Sequence, residues 1–298
     1  MKKIFILFCM VFIIITIFNV SNLIWTRKNK HPKNAWLYKR KTPKISMNMR
    51  YVVLIIPLMN RDSQLAVFES HMCSMWNNKS SPLLILVVNQ TVPRSFSRSW
   101  LFNVGLNFIS NQNISSTCIA IHDVDLLPFS NVSYETCDHP THLSSELEHF
   151  NWNVPYDSSS GGVFLASKKH WLAINGMSNL FRGWGGEDDE LFYRLKHARL
   201  TDGDRPYRPA RGYGKFYKNK IEHHLGKKSE SEYISNVRLL DDMINKKRSM
   251  SDDGLAQVKY GIVRIQSNIF WGCNAKTYHI TVTDQEINSV EHTAGLYF

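Results

Sequence analysis

The first fifty residues of this 298-residue chain contain no aspartate or glutamate, although they hold 11 lysines and arginines. That local absence accounts for the whole formal charge of +11, because residues 51–298 balance 25 bases against 25 acids. A folded part without basic excess has no means of tracking a phosphate backbone, which excludes nucleic acid as its partner. Internal repeats and low-complexity tracts are absent, and a 43% hydrophobic composition is ordinary for a globular core, so a disordered chain is excluded too. No nucleophile motif stands out, which favours chemistry that needs no covalent enzyme intermediate.

What is present begins at the N-terminus. Ile4 to Phe18 is almost unbroken hydrocarbon, and Leu23, Ile24 and Trp25 extend it to roughly twenty residues, enough for one membrane span. A cleaved leader would have a shorter apolar run and a small-x-small site after it, and none follows. Lysines and arginines flank the run on both sides, so charge alone leaves its orientation open. Residues 26–50 are basic, carry Pro32 and Pro43 and show no apolar period, so they read as a solvated stem. The domains expected are an anchor over 1–25, a stem over 26–50 and a catalytic domain over 51–298.

Four sequons, at Asn78, Asn89, Asn113 and Asn131, suit a lumenal or extracellular domain. Of the five cysteines, Cys9 belongs to the apolar run, Cys118 and Cys137 bracket an acidic loop, and Cys73 and Cys273 are either a second pair or free buried thiols.

The periodicity of residues 51–298 predicts an α/β fold. Continuous apolar runs at Tyr51 to Ile56, Leu83 to Val88 and Thr117 to Ile121 read as buried strands. Between them lie helical patterns, one with Leu65, Phe68, Met72, Met75 and Trp76 on one face and one over Ser99 to Ile109. That alternation argues for βαβ units and a largely parallel sheet. A loose polar stretch to Ser160 precedes another strand-like run, Val163 to Ala166, and Val258 to Ile265 and Tyr278 to Val282 read as closing strands. A loop as long as 129–160 inside a domain usually carries function.

Two acidic clusters carry the chemistry. Asp123-Val124-Asp125 follows the third strand directly, where open α/β sheets place their ligand crevice. Glu187-Asp188-Asp189 opens a helix with Leu191, Phe192 and Leu195 at helical spacing, entered through Gly183-Trp184-Gly185-Gly186. One cluster can hold a divalent cation against the charge of a departing nucleoside diphosphate, and the other can take a proton from an attacking hydroxyl. Together they imply an enzyme that moves a sugar from a nucleotide.

An ordered series of segments then resembles the beta-1,4-galactosyltransferases. It runs through Ile56-Pro57 with Asn60-Arg61, Val88-Asn89-Gln90, Phe96-Ser97-Arg98, Phe102 to Gly105, His122 to Pro128, Gly161-Gly162-Val163, Asn175-Gly176, Gly183 to Asp189 and Asp253-Gly254-Leu255. The resemblance implies a metal-dependent inverting enzyme with a GT-A type, Rossmann-like mixed sheet flanked by helices. It also implies a type II anchor in the Golgi membrane with the catalytic domain lumenal, UDP-galactose as donor and Mn²⁺ as cofactor. Carried onto this chain, it implies that Pro57, Arg61, Phe96, Arg98, Asp123 and Val124 surround the nucleotide. Asp125 would ligate the metal, Trp184 with Gly185 and Gly186 would cover the sugar, Glu187 and Asp189 would bind sugar hydroxyls, and Asp188 would be the general base.

Several details resemble the branch that galactosylates xylose on proteoglycan core protein: His122, Leu126-Leu127-Pro128, Glu190 and Val258-Lys259-Tyr260. The spacing of Cys118 and Cys137 instead resembles the N-acetylglucosamine-directed branch, so the acceptor is either a xylosylated protein or a glycan. Three departures stand out. The His-x-His pair of the xylose branch is Glu222-His223-His224-Leu225 here, so either His224 replaces the missing ligand or Asp125 and His223 work with more water. The tyrosine two residues before Gly-Gly is Ser159, which leaves space for an N-acetylgalactosamine donor. Leu58-Met59 replaces the aromatic-basic pair after the proline. A carbohydrate-binding relative without chemistry, or a sugar-nucleotide hydrolase, are the competing readings.

Overall fold

A computed structural model describes residues 49–91, 95–221, 229–269 and 273–283. The expected anchor, nearly all of the stem, and both His223 and His224 lie outside the described residues. No helix among the described residues is long and apolar enough to cross a membrane.

The centre of the domain is β1 (Tyr51–Leu58), buried at every position. It pairs in parallel with β2 (Leu83–Gln90) on one side and β3 (Ser116–His122) on the other. β10 (Ala275–Thr283) adds a fourth parallel strand beside β2, and β9 (Gly261–Ile269) closes that edge antiparallel. Beyond β3 lie β7 (Val163–Ala166) and β5 (Thr141–His142), again antiparallel. The seven-stranded sheet is therefore mixed, in the order β5-β7-β3-β1-β2-β10-β9. The sequence pattern led to a largely parallel sheet, and its parallel centre is there; β9 reverses one edge next to β10 in sequence, and β7 reverses the other only after the long loop that follows β3.

Side chains alternate across β1, and each set packs a different helical layer. Tyr51, Val53 and Ile55 face α2 (Arg98–Asn111), with Trp171, Leu191 and Leu195 in the same core. Val52, Leu54, Ile56 and Leu58 face α1 (Asp62–Trp76), through Leu65, Phe68, Met72 and Trp76. A Cβ on Gly105 would come within 2.6 Å of Ile55, so glycine is what lets α2 lie this close to the sheet. Both undecided cysteine pairs are disulfides: Cys118–Cys137 and Cys73–Cys273, with Cα atoms 5.8 and 5.5 Å apart. The second ties α1 to the start of β10 across 200 residues. Asn78, Asn113 and Asn131 are exposed, whereas Asn89 is half-buried within β2 and pairs through its backbone with Leu58 and Thr281.

A second sheet in the order β4-β8-β6 is built from β4 (Leu126–Pro128), β8 (Lys215–Lys218) and β6 (Glu146–Leu147). It folds the expected long loop back over the end of β3. Three helices complete the domain: α3 (Lys168–Ala173), α4 (Glu187–His197) and α5 (Glu230–Ile244).

Candidate active site

The C-terminal ends of β1 and β3, the N-terminus of α2 and the N-terminus of α4 meet at one crevice. At its floor, the Arg98 Nε donates to Asp123 Oδ1 at 2.6 Å, and its Nη2 donates to the Gly162 carbonyl at 2.9 Å. The Asp123 amide donates to that same carbonyl at 3.2 Å. Burial alone would lower the pKa of this guanidinium, but Asp123, Glu187 and Asp188 around it leave it raised. Its Nη1 is buried with no protein partner, which leaves one charged N–H group for a ligand.

The turn after β3 is held from below. His122 is fully buried, its Nδ1 bonded to the Asp123 carbonyl at 2.9 Å and its Nε2 to the Tyr134 hydroxyl at 2.9 Å. Burial pushes its pKa down to about 4, so it serves as a neutral prop. Val124 is 2% exposed and packs into the core, so its side chain is turned away from the crevice and only its backbone can face a nucleotide. Asp125 is half-buried, 3.4 Å from Nη1 of Arg61, the residue before α1. Its carbonyl accepts from the Asn219 amide at 2.7 Å, where the chain leaves β8. Asn219 lies four residues before His223 in the sequence. Among the described residues, no group of three or more His, Cys, Asp and Glu side chains is arranged to hold a metal. Asp125 is the one predicted ligand among them.

Gly186 precedes α4 at φ 85°, a conformation that favours glycine, and lets the helix start within the crevice. All three carboxylates, Glu187, Asp188 and Asp189, fall in its first turn. A Cβ on Gly161 would meet Asp188 Oδ2 at 2.9 Å, so the Gly-Gly before β7 clears space for that carboxylate. Burial first, then the neighbouring Asp189, raises the Asp188 pKa, with Arg98 opposing. Glu187 is raised to about 7 by burial and by Asp188, again opposed by Arg98.

These shifts fix a pH dependence of stability. A carboxylic acid whose pKa is raised on folding binds its proton more tightly in the native state. For Glu187 the benefit is full below its ordinary 4.5 and is lost as pH rises to about 7. Two buried histidines act with the opposite sign, since burial lowers His122 to about 4 and His142 to about 3 and each costs stability as pH falls below 6.5, so the Glu187 contribution is read by substitution. Glu187→Gln should recover about 2 kcal/mol at pH 8 and nothing at pH 4, measured by thermal melts at both. Equal shifts at both pH values would refute this.

Phe96 is half-buried against the α2 core, and its carbonyl accepts from the Gly183 amide at 2.8 Å, which ties the segment before α2 to the Trp184 loop. Pro57, the last residue but one of β1, lies beside Val88. Trp184 is 56% exposed and stacks on Tyr233 of α5, ring centroids 5.4 Å apart. Asn236, also on α5, donates to the carbonyls of Arg182 and Trp184 at 2.8 and 3.3 Å. The tryptophan expected to cover a sugar thus rests on α5, a helix that the periodicity reading missed. Sequence reasoning also missed Tyr156. Its hydroxyl donates to Asp189 Oδ1 at 2.9 Å and lies 3.5 Å from Asp188 Oδ2. The signal was the long loop alone, since an isolated exposed tyrosine carries no spacing.

A mixed α/β sheet with acidic clusters after β3 and at the start of α4 defines a GT-A-like glycosyltransferase fold. The N-terminal region of glycosyl transferase group 7 matches residues 15–138, and a family described as the N-terminal domain of galactosyltransferase matches 141–224. The mouse (Mus musculus) beta-1,4-galactosyltransferase 1 is 31% identical over 80% of this chain and 57% of its own length. Human (Homo sapiens) beta-1,4-galactosyltransferase 6 is 34% identical over 63% of this chain and 47% of its own. The chain thus spans about half the length of these curated relatives. The solved catalytic domain of Drosophila beta-1,4-galactosyltransferase 7 in complex with xylobiose superposes with TM-score 0.65 at 28% identity, covering 79% of this chain and 94% of that one. A mutant of the same protein, in complex with manganese, UDP-Gal and xylobiose, gives TM-score 0.64. The chain belongs to the beta-1,4-galactosyltransferase family.

Proposed function

We propose that the chain transfers galactose from UDP-galactose to the 4-hydroxyl of a β-linked xylose on protein, with inversion at the anomeric carbon. The observation that carries this reading is the Asp188 carboxylate, held against Gly161 in the first turn of α4 and made more basic by its burial. A carboxylate with a raised pKa is a better proton acceptor for a sugar hydroxyl. Asp188 takes that proton as the oxygen attacks, and UDP leaves from the opposite face. Arg98, with its unpartnered Nη1, and Arg61 face the diphosphate. Pro57 and Phe96 line the nucleotide side, while Glu187, Asp189 and Tyr156 offer hydrogen bonds to sugar hydroxyls. The half-exposed Trp184 leaves Tyr233 to close over them, with Gly183, Gly185 and Gly186 all at positive φ to allow it.

The donor set suits Mn²⁺, with a hard carboxylate at Asp125 and borderline imidazoles at His223 and His224. Arg61 touches Asp125 through one 3.4 Å contact and leaves the carboxylate open. Asp125, with one or both histidines, would hold the ion, which when bound supplies charge that stabilises the departing diphosphate. Residues 1–25 as a type II Golgi anchor and 26–50 as its stem complete the proposal.

Xylose is favoured over N-acetylglucosamine by the xylobiose complexes of the Drosophila neighbour. The full chain with Mn²⁺, offered UDP-galactose or UDP-N-acetylgalactosamine against β-xyloside and β-N-acetylglucosaminide, should give galactosyl-xyloside by mass. Product on N-acetylglucosaminide alone would move the chain to the glycan-capping branch. No product with any pair, despite UDP binding, would overturn the enzyme reading.

A further inference from the structure

The loop that brings Tyr156 to the catalytic carboxylates has a second face. A cavity of about 500 Å³ opens beside it, bordered by Trp152 and Asp157 of this loop and by Arg205, Arg208 and Arg211 of the segment between α4 and β8. Of the three acids at its wall two are committed, and the third, Asp157, offsets part of the charge of Arg208. Glu146 accepts from the amides of Gly212 and Gly214, and Asp202 pairs with Arg205 at 3.0 Å. Two guanidinium groups are not. Arg208 donates from Nη2 to the Asp157 carbonyl at 2.7 Å, yet its Nε is buried with no partner at all. Burial lowers the pKa of that guanidinium, Asp157 opposes the shift and Arg205 adds to it, so the cation is only partly compensated. Arg211 is exposed and makes no ion pair among the described residues.

Trp152 gives the cavity a flat apolar wall. It is held at φ 60°, packed edge-on against Phe129 with Lys215 Nζ 5.3 Å over its ring. An unsatisfied guanidinium N–H, a free arginine and an indole face suit a carboxylate on a short side chain.

We propose that this cavity receives an acidic side chain of the acceptor polypeptide, adjacent to the sugar-bearing residue. The inference rests on the proposed xylosyl-protein acceptor: a single sugar attached directly to protein forces the polypeptide to pass the loop that carries Tyr156. Arg208 and Arg211 then bind the carboxylate, and Trp152 packs on its methylene stem and backbone. The enzyme accordingly distinguishes xylosylated sites by flanking charge.

The test is equilibrium binding, which does not depend on turnover. Fluorescent peptides with β-xylosyl-serine flanked by glutamate or by glutamine are titrated with the full chain in the presence of UDP. The glutamate peptide should bind about tenfold more tightly, as a buried charge-assisted hydrogen bond warrants. That ratio should fall towards one in Arg208→Gln and in Arg211→Ala; the exposed Arg211 serves if the first variant does not fold. Equal binding by the unaltered chain, or a ratio that survives in a folded variant, would overturn the proposal. A glucuronate-bearing oligosaccharide that displaces the glutamate peptide at equal concentration would overturn it in favour of an acidic glycan. Transfer to a simple alkyl β-xyloside is scored separately: its loss would sink the transferase reading and leave the binding ratio to decide this one.

Discussion

Asp188→Asn should lower kcat for galactose transfer by about 10²- to 10⁴-fold while UDP affinity stays within a factor of two. The substitution keeps volume and shape against Gly161, so the glycine clearance at 2.9 Å is undisturbed. It removes only the capacity to accept a proton. Arg98, the cation proposed to face the diphosphate, keeps its grip on Asp123 at 2.6 Å and on the Gly162 carbonyl. The pH profile of the unaltered chain gives an independent readout. The base must be ionised, so kcat/KM should rise on an acid limb above the ordinary aspartate value of 3.8, because burial and Asp189 both resist ionisation of Asp188. Asp189→Asn removes one of those two causes and should move the limb to lower pH. A limb unmoved by that change, with kcat unaltered in Asp188→Asn, would remove Asp188 from the role of base.

The central sheet was legible because its signal is redundant. β1, β2, β3 and β7 are continuous apolar runs, and burial on both faces is what such runs mean in an α/β fold. The site was legible in part for the same reason, since Asp123 to Asp125 and Glu187 to Asp189 sit where a strand ends and a helix begins. Elements that bury little were passed over. α5 places only Asn236 and Met243 in the interior, yet Tyr233, Ile234, Val237, Leu240 and Ile244 recur at helical spacing, so its pattern was present in the sequence and went unread. β8 is four residues long and ends in lysines, and only Phe216 is buried. The cost of missing them falls on function: α5 carries the Tyr233 and Asn236 contacts to the Trp184 loop, and β8 leads to Asn219 beside Asp125. Val124 shows a different limit. Sequence order placed it between two site aspartates, but it lies in the turn after β3, and there its side chain is buried in the core.

Asp188 depends on a helix whose first turn is fixed from behind. Glu190 and Arg194, one turn apart on α4, are both fully buried and form an ion pair. Glu190 also accepts from the Ser178 amide at 3.2 Å, and Arg194 donates to the carbonyls of Ile174 and Asp253 at 3.1 and 2.8 Å. Burial raises the Glu190 pKa even with Arg194 beside it, so the pair is no net gain over an apolar packing. Removing one member is different, because it leaves a buried charge without its partner. Arg194→Leu should therefore cost about 3–5 kcal/mol, a fall in Tm on the order of 10 °C for a domain of this size. Arg194→Leu combined with Glu190→Leu should lose less than the single change, which denaturant titration of both variants would show. Catalysis should track the single variant's damage, since Glu190 follows the Asp188-Asp189 pair directly and its displacement moves both carboxylates. A double variant that is less stable than Arg194→Leu would mean that the pair contributes net stability, and that α4 is held in the crevice by charge rather than by packing.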